Sequence, residues 1–334
     1  MRLHTTSLNR SLRSTTRAPC AAGLALAGAA MLLGALALPS TAQATNGQGH
    51  GNQWGPAESV DAGGLLGINT AAGEGCPSET PDAHMLFFAS NRAGGIGPGT
   101  NDIWVSFRAS RHSPWGAPVN VGAPVNSTAN DFCPTPLPGN QLLFVSSRGN
   151  QCGGPGNNPD IYYTRLQPSG IWLEPQHLGC EINSGFEEFS PSLVQAQGWT
   201  LLYFSSNRLG THDLFVSVLG NDGAWSPAWP VNELNSDFQD SRPNVRKDGL
   251  EIVFDSTREG GQPQIFTATR ASVFKRWSAP RRLGANVNAS DFAQTRPTIS
   301  RDGQRLYFGS ARPDEASGTV NDLYVATRQR PGNR

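Results

Sequence analysis

The sequence has few of the features that build helical, strongly charged or nucleic-acid-binding proteins. Charged residues make up only 16% of the 334 positions, and 38 Gly and 25 Pro interrupt any long helix. This composition excludes a coiled coil or a helical bundle. Basic residues do not cluster after position 17 and the formal net charge is zero, which argues against a nucleic-acid partner. Hydrophobic residues make up 37% of the chain, which is sufficient for a folded, all-β core.

A long apolar run occurs only at the N-terminus. An arginine-containing stretch (2–17) precedes an Ala- and Leu-rich segment (21–38), and Ala42-Gln43-Ala44 supplies small residues for cleavage. This order is typical of a secretory signal peptide, so residues 1–44 are predicted to be cut off after Ala44. We therefore expect a periplasmic or secreted protein with no integral membrane segment, because no second apolar run of spanning length follows.

Short catalytic and metal-binding motifs are also missing. The chain has no Gly-x-Ser-x-Gly, His-Glu-x-x-His, P-loop or Cys-x-x-Cys sequence, so no metal and no cofactor is expected. Calcium binding by the acid-rich loops stays an alternative. Four cysteines follow position 44, an even number that suits disulfides in an oxidising compartment. We expect Cys152 to pair with Cys180, and Cys76 with Cys133 as a second, looser pair.

A fivefold internal repeat predicts the fold. An apolar run that ends in Ser-x-Arg occurs five times, with its arginine at positions 92, 148, 208, 258 and 312. Each run is followed by a second strand that opens with Asp or Gln and an apolar pair. Four of the repeats continue with a Trp-containing segment, and a proline then begins the next strand. Each unit therefore contains four short strands.

The two ends of the repeat region complete each other. The fifth unit stops after its third strand, whereas residues 54–60 match the Trp-containing fourth strand of the other units. We predict a five-bladed β-propeller over residues 54–328, with four antiparallel strands per blade and the N-terminal strand completing the last blade. Residues 45–53 and 329–334 are expected to form a flexible N-terminus and a C-terminal tail.

The repeat pattern resembles that of a known family. Residues 297–324 run Pro-x-x-x-x-Asp-Gly, apolar strand, Ser-x-Arg and Asp-Leu-Tyr, which is similar to the WD40-like repeats of the TolB β-propeller family. The resemblance covers residues 54–328 and implies an exported, single-domain member of that family. Such propellers serve as binding platforms, as periplasmic translocation components or as domains attached to peptidases, so the resemblance does not identify a ligand.

Acidic residues recur three positions before the proline that opens the inner strand of each repeat. The series is Glu74, Asp131, Glu188, Asp240 and, in the fifth repeat, Gln294. On one interpretation these side chains ring the upper mouth of the pore, where two carboxylates could serve a glycosidase. On the other, they hold the blades together by pairing with the Ser-x-Arg arginines, because a feature that recurs in every blade is normally scaffold.

Departures from fivefold symmetry mark the candidate ligand site. Arg242 and Arg296 occupy positions that hold Cys or Ser in the other repeats, and Gln294 stands beside them in place of an acid. Facing Glu74, Asp131 and Glu188, these arginines would bind a polar or zwitterionic ligand. The competing interpretation is that they only neutralise Asp240 and its acidic neighbours.

The loops between the second and third strands are unequal in length. Those at 93–101, 149–159 and 313–321 are long and rich in Gly or Pro, and they belong to adjacent blades. A continuous rim over one side of the pore is the default place for a ligand.

Two functions follow from these features. The first is a non-catalytic binding platform, a monomer that holds a protein, peptide or glycan ligand on its top face. The alternative is a glycan-active enzyme that uses Glu74, Asp131, Glu188 and Asp240, and it is the weaker hypothesis because those carboxylates belong to the repeat.

Overall fold

The computed structural model describes residues 53–61, 66–149, 151–154, 156–289, 291–313 and 321–328. The predicted signal peptide, most of the predicted flexible N-terminus and the whole predicted C-terminal tail lie outside this range. In chain order the strands are β1 (Glu58–Ser59), β2 (Glu74–Glu79), β3 (Met85–Ser90), β4 (Asp102–Phe107), β5 (Val119–Asn120), β6 (Asp131–Leu137), β7 (Gln141–Ser146), β8 (Asp160–Arg165), β9 (Gln176–His177), β10 (Glu188–Ala196), β11 (Trp199–Ser206), β12 (Asp213–Val218), β13 (Trp229–Pro230), β14 (Asp240–Val245), β15 (Glu251–Ser256), β16 (Gln264–Thr269), β17 (Arg281–Arg282), β18 (Gln294–Ile299), β19 (Arg305–Ser310) and β20 (Asp322–Thr327).

The strands form five antiparallel sheets of four strands each. Blade 1 is β2–β5, blade 2 is β6–β9, blade 3 is β10–β13, blade 4 is β14–β17, and blade 5 is β18, β19, β20 and β1. The first strand of each blade contacts the first strands of its two neighbours, so these five strands form the inner ring. The predicted all-β, five-bladed propeller is therefore confirmed. None of the described residues belongs to a helix that could cross a membrane.

The N-terminal strand closes the ring, as the sequence predicts. Glu58 and Ser59 of β1 pair with Val325 and Tyr324 of β20. Trp54 precedes this strand and is only 6% exposed. The Arg328 guanidinium lies 4.2 Å from the centre of its ring, where the cation and the aromatic face attract each other.

Every inner strand contains a β-bulge before its proline. The residue that immediately precedes the proline has a positive φ in all five blades, between 47° and 56°, although none of these residues is Gly; they are Cys76, Cys133, Ser190, Arg242 and Arg296. The pairing register shifts at the same place in each blade. Because the left-handed residue recurs at the same position in every blade, it is a regular feature of the fold. It interrupts the alternation of side chains between the two faces of the strand.

Residues just after these prolines link neighbouring blades. The Thr135 hydroxyl donates to the Pro191 carbonyl at 2.6 Å, and the Thr298 hydroxyl donates to the Pro77 carbonyl at the same distance. Asn244 accepts a hydrogen bond from the Ile299 backbone N–H at 2.8 Å. The inner ring is thus held by direct polar bonds as well as by apolar packing between the sheets.

Candidate functional site

The repeated acids are buried inside the blades, and of the four only Glu74 belongs to the lining of the upper cavity described below. Their relative exposure is at most 2%, and all four carboxylates contact the arginine of the Ser-x-Arg motif in their own blade; the pairs are Glu74–Arg92, Asp131–Arg148, Glu188–Arg208 and Asp240–Arg258. For Asp131, Glu188 and Asp240, which are not part of the cavity lining, this geometry corrects the hypothesis that places the acids opposite the arginines of the pore. Their bonding is that of scaffold residues.

Glu188 shows how complete this bonding is. Its carboxylate accepts hydrogen bonds from the Ser184 backbone N–H and hydroxyl, at 2.9 and 2.6 Å, and from the Ser206 hydroxyl at 2.7 Å. Arg208 Nη2 donates to the same carboxylate at 2.9 Å and to the Ile182 carbonyl at 2.6 Å. A carboxylate with this many internal partners has little capacity left for a substrate.

Gln294 takes the place of the acid in blade 5 and is equally buried. Its Nε2 donates to Ser310 Oγ at 3.2 Å. Arg312 still donates to the Val287 carbonyl at 2.5 Å without an acid at this position. Gln294 is therefore an internal residue of blade 5, and the sequence-based expectation that it lines the ligand site is corrected as well.

Replacing Glu188 with Gln should make the free energy of unfolding less dependent on pH. Burial raises the pKa of Glu188, and Ser184, Ser206 and Arg208 only partly offset it. Because its pKa is raised, protonated Glu188 stabilises the folded wild-type protein. This stabilisation is fully present below the unfolded-state pKa and is lost as pH rises through the folded-state pKa. The stability of E188Q relative to wild type should therefore increase in urea titrations as the pH rises above the ordinary glutamate pKa of about 4.3.

We expect E188Q to fold, because blade 5 of the same protein already has a glutamine, Gln294, at the equivalent position. A relative stability of E188Q that decreased over this pH range would contradict the raised pKa.

The candidate site is a cavity of about 430 Å³ at the upper face, the face where the second strand of each blade leads to the third and the fourth leads to the next blade. Its wall is polar on most sides and aromatic on one side. The polar, aromatic and charged residues that line it include Asn91, Asn101, Asn130, Ser147, Asn321, Phe132, Phe189, Arg242 and Arg296. A second and much smaller space of about 20 Å³ adjoins the cavity among the prolines of the inner strands.

Arg242 and Arg296 both line this cavity, where they share one carboxylate. Arg242 Nη1 lies 2.8 Å from Asp255 Oδ1, and the Arg296 backbone N–H donates to Asp255 Oδ2 at 2.7 Å. Asp255 is almost completely buried, and burial raises the pKa of its carboxyl while Arg242 lowers it. Burial, together with the charge of Arg242, lowers the pKa of Arg296 to about 10. Two guanidinium groups and one carboxylate leave one surplus positive charge.

Asp255 is the site residue that the sequence analysis missed. It precedes the serine at the end of β15, a position that holds Ala89, Val145, Ser205 and Gly309 in the other blades. An acid among four small or apolar residues breaks the repeat as clearly as the two arginines do. Aligning the five units at this position would have found it.

His212 and Glu187 form a second polar pair beside the cavity. His212 Nε2 lies 3.1 Å from Glu187 Oε2, and its ring stacks on Phe189 with 4.8 Å between ring centres. Burial lowers the pKa of His212, and the hydrogen bond that its ring donates to Glu187 opposes this effect. His212 also lies near enough to Arg242 and Asp255 for their charges to act on it, so the two polar clusters belong to one region.

The amides of the wall are oriented by the backbone. Asn91 Oδ1 accepts a hydrogen bond from the Gly73 N–H at 3.1 Å, and Asn130 Oδ1 accepts one from the Asn101 N–H at 3.0 Å. Because the oxygens are engaged, the NH₂ groups of Asn91 and Asn130 are left as donors.

The three long loops predicted to form a rim end at this cavity. Their last residues, Asn101, Pro159 and Asn321, belong to its wall. Residues 314–320 lie outside the described part of the chain. The loop of blade 2 is tied down by Cys152 and Cys180, whose sulfurs form a disulfide, and a second disulfide joins Cys76 to Cys133 across two inner strands.

Solved structures with the same architecture include glycoside hydrolases. The α-L-arabinofuranosidase of Podospora anserina, solved in complex with cellotriose, has a TM-score of 0.52 at 13% identity, and the match covers 84% of this chain and 97% of that one. A thermostable family-43 glycoside hydrolase also has a TM-score of 0.52, at 12% identity, over 83% of this chain and 97% of that one. At these identities the likeness shows the five-bladed fold alone.

TolB from Acinetobacter baumannii is also similar, with a TM-score of 0.43, 15% identity and coverage of 78% of this chain and 55% of that one. This score does not single out TolB among propellers, so the resemblance stated from the repeats is supported at the level of the fold only. No protein-family model and no curated protein matches the chain.

Proposed function

We propose that this protein binds a carbohydrate in the upper cavity. The observation that carries the proposal is the wall of a cavity of about 430 Å³, to which both fixed amide donors and aromatic side chains belong. Amide groups suit the paired hydroxyls of a sugar, and aromatic faces suit its C–H surfaces. The volume is that of a small-ligand site, whereas a folded protein partner would need a broad interface. Among the ligands expected from the sequence, a glycan therefore fits best.

Hydrolysis of the bound glycan is the second candidate function. Two non-repeated carboxylates lie beside the cavity, Asp255 against Arg242 and Glu187 against His212, and a pair of carboxyl groups is what glycoside hydrolysis requires. The glycoside hydrolases with this fold support the same proposal. The four repeated acids are not the candidates, because each is bound within its blade.

One experiment tests both functions. The purified mature protein is applied to an array of neutral and acidic oligosaccharides, and the same sugars are incubated with it and assayed for new reducing ends. We expect binding of at least one class, and loss of any turnover in D255N and E187Q. Binding without turnover would leave the platform function, and no binding to any sugar would contradict the proposal.

Export is part of the proposed function. The predicted signal peptide with cleavage after Ala44 would deliver the chain to an oxidising compartment, which suits the two disulfides. Membership of the TolB-like family, and action as a monomer, are proposed on the repeat pattern alone.

A further inference from the structure

The Arg296 side chain is a charged group in the cavity with few partners. Its only hydrogen bond among the described residues goes from Nη1 to Thr295 Oγ1, at a long 3.4 Å. The Ser-x-Arg arginines have many more hydrogen-bond partners than Arg296. Arg208, for example, donates to a serine, a carbonyl and a carboxylate. A guanidinium has five N–H donors, so most of the donors of Arg296 are available to a ligand.

The neighbouring blade makes room for this side chain. Gly75 of blade 1 occupies a position that holds Phe132, Phe189, Ser241 and Thr295 in the other blades. A Cβ atom at Gly75 would lie 3.3 Å from both Cδ and Nη1 of Arg296. The glycine and the arginine thus break the repeat together, on opposite sides of one blade interface, and the absence of a side chain at Gly75 lets the guanidinium lie at the cavity wall.

The charges at this place are unbalanced. Asp255 is engaged by Arg242 through its side chain and by Arg296 only through the backbone N–H, so the Arg296 guanidinium has no carboxylate bound to it among the described residues. Arg242 is close enough to add repulsion. Holding a cation in a partly buried site is costly unless an anion accompanies it. A guanidinium binds an oxyanion such as a carboxylate or a phosphate with two parallel hydrogen bonds.

We propose that the glycan bound in the upper cavity is acidic, and that Arg296 binds its oxyanion, a uronic acid carboxylate or a sulfate ester. This inference rests on the proposed carbohydrate-binding function and names the substrate class. The single surplus positive charge matches one monoanionic group. The amides and the phenylalanines then contact the rest of the sugar.

The test is an array that pairs each uronic acid oligosaccharide with its carboxyl-reduced counterpart, and each sulfated sugar with its desulfated form. Wild type should bind acidic members about 10- to 100-fold more tightly than their neutral partners. Arg296→Gln should remove that preference, whereas Arg301→Gln, at an exposed position in the hairpin of blade 5, should keep it. The arm that shows the preference identifies the oxyanion as carboxylate or sulfate.

A second variant keeps the test informative if Arg296→Gln does not fold. Gly75→Ser, which copies Ser241 of blade 4, retains the arginine but crowds it, and it should weaken binding of acidic sugars specifically. Equal binding of acidic and neutral partners by wild type would overturn the inference and leave the carbohydrate-binding function intact. Absence of binding to every sugar would instead overturn the function itself.

Discussion

Deletion of residues 45–60 should abolish cooperative folding of the propeller. The deletion removes β1, which supplies the fourth strand of blade 5, and with it the bonds from the Gly55 and Val60 N–H groups to the carbonyls of Thr327 and Leu323, at 2.7 and 3.0 Å. It also removes Trp54, whose loss alone is expected to cost about 3–5 kcal/mol. Together these losses approach the whole stability of a typical protein, about 5–15 kcal/mol. Thermal unfolding followed by circular dichroism measures the effect.

Point variants separate closure of the ring from nonspecific damage by the deletion. Trp54→Ala should lower the melting temperature strongly, because the indole is buried beneath Arg328. Trp229→Ala is the matched control, since Trp229 lies in the outer strand of blade 3 and is 45% exposed. Unchanged melting of the deletion variant would show that the ring does not depend on the N-terminal strand.

Replacing both Arg242 and Arg296 with Ser should reduce ligand affinity and also destabilise the protein. Asp255 would then keep its buried carboxylate without the ion pair to Arg242, and breaking a buried pair on one side costs about 3–5 kcal/mol. The sequence alone treats binding and stability as alternatives for these arginines. The shared carboxylate means that both should change in the double variant.

A triple variant separates the two effects. Adding Asp255→Ser reproduces blade 3, where Ser190 and Ser205 hold the same two positions and the Ser205 hydroxyl accepts a hydrogen bond from the Arg242 N–H at 3.3 Å. Urea unfolding should show stability largely restored in the triple variant, whereas calorimetry should still show no binding. Affinity retained by the triple variant would place the ligand outside the cavity.

The blades could be predicted because the residues of each repeated motif form their hydrogen bonds and ion pairs within their own blade. The Ser-x-Arg arginine of blade 3 bonds to Glu188, 20 residues away, and to its own Ser206. The same short-range bonds recur in other blades, so residues of the same type appear at regular intervals. The periodic sequence therefore revealed the number of blades and the strand that closes the ring.

The candidate site was harder to predict because its partners are distant or depend on one irregular residue. Gly75 and Arg296 are neighbours only once the ring has closed. The direction of the inner-strand side chains depends on the bulge with positive φ at residues such as Arg242, and simple alternation along a strand does not anticipate it. The repeated acids were assigned to the pore mouth because they precede the inner strands at the upper face, but their carboxylates bond to arginines within the blades.

The sequence by itself determined an all-β propeller of five blades, closed by its N-terminal strand, and identified Arg242 and Arg296 as departures from the repeat. Only the tertiary structure decided which carboxylate they share, since Asp255 lies on a different strand from either arginine. It also decided that the carboxylates of Glu74, Asp131, Glu188 and Asp240 bond to arginines of their own blades. The physical reason is that the role of a charged side chain depends on its surroundings, and the closed ring places residues such as Gly75 and Arg296, which are far apart in the chain, side by side.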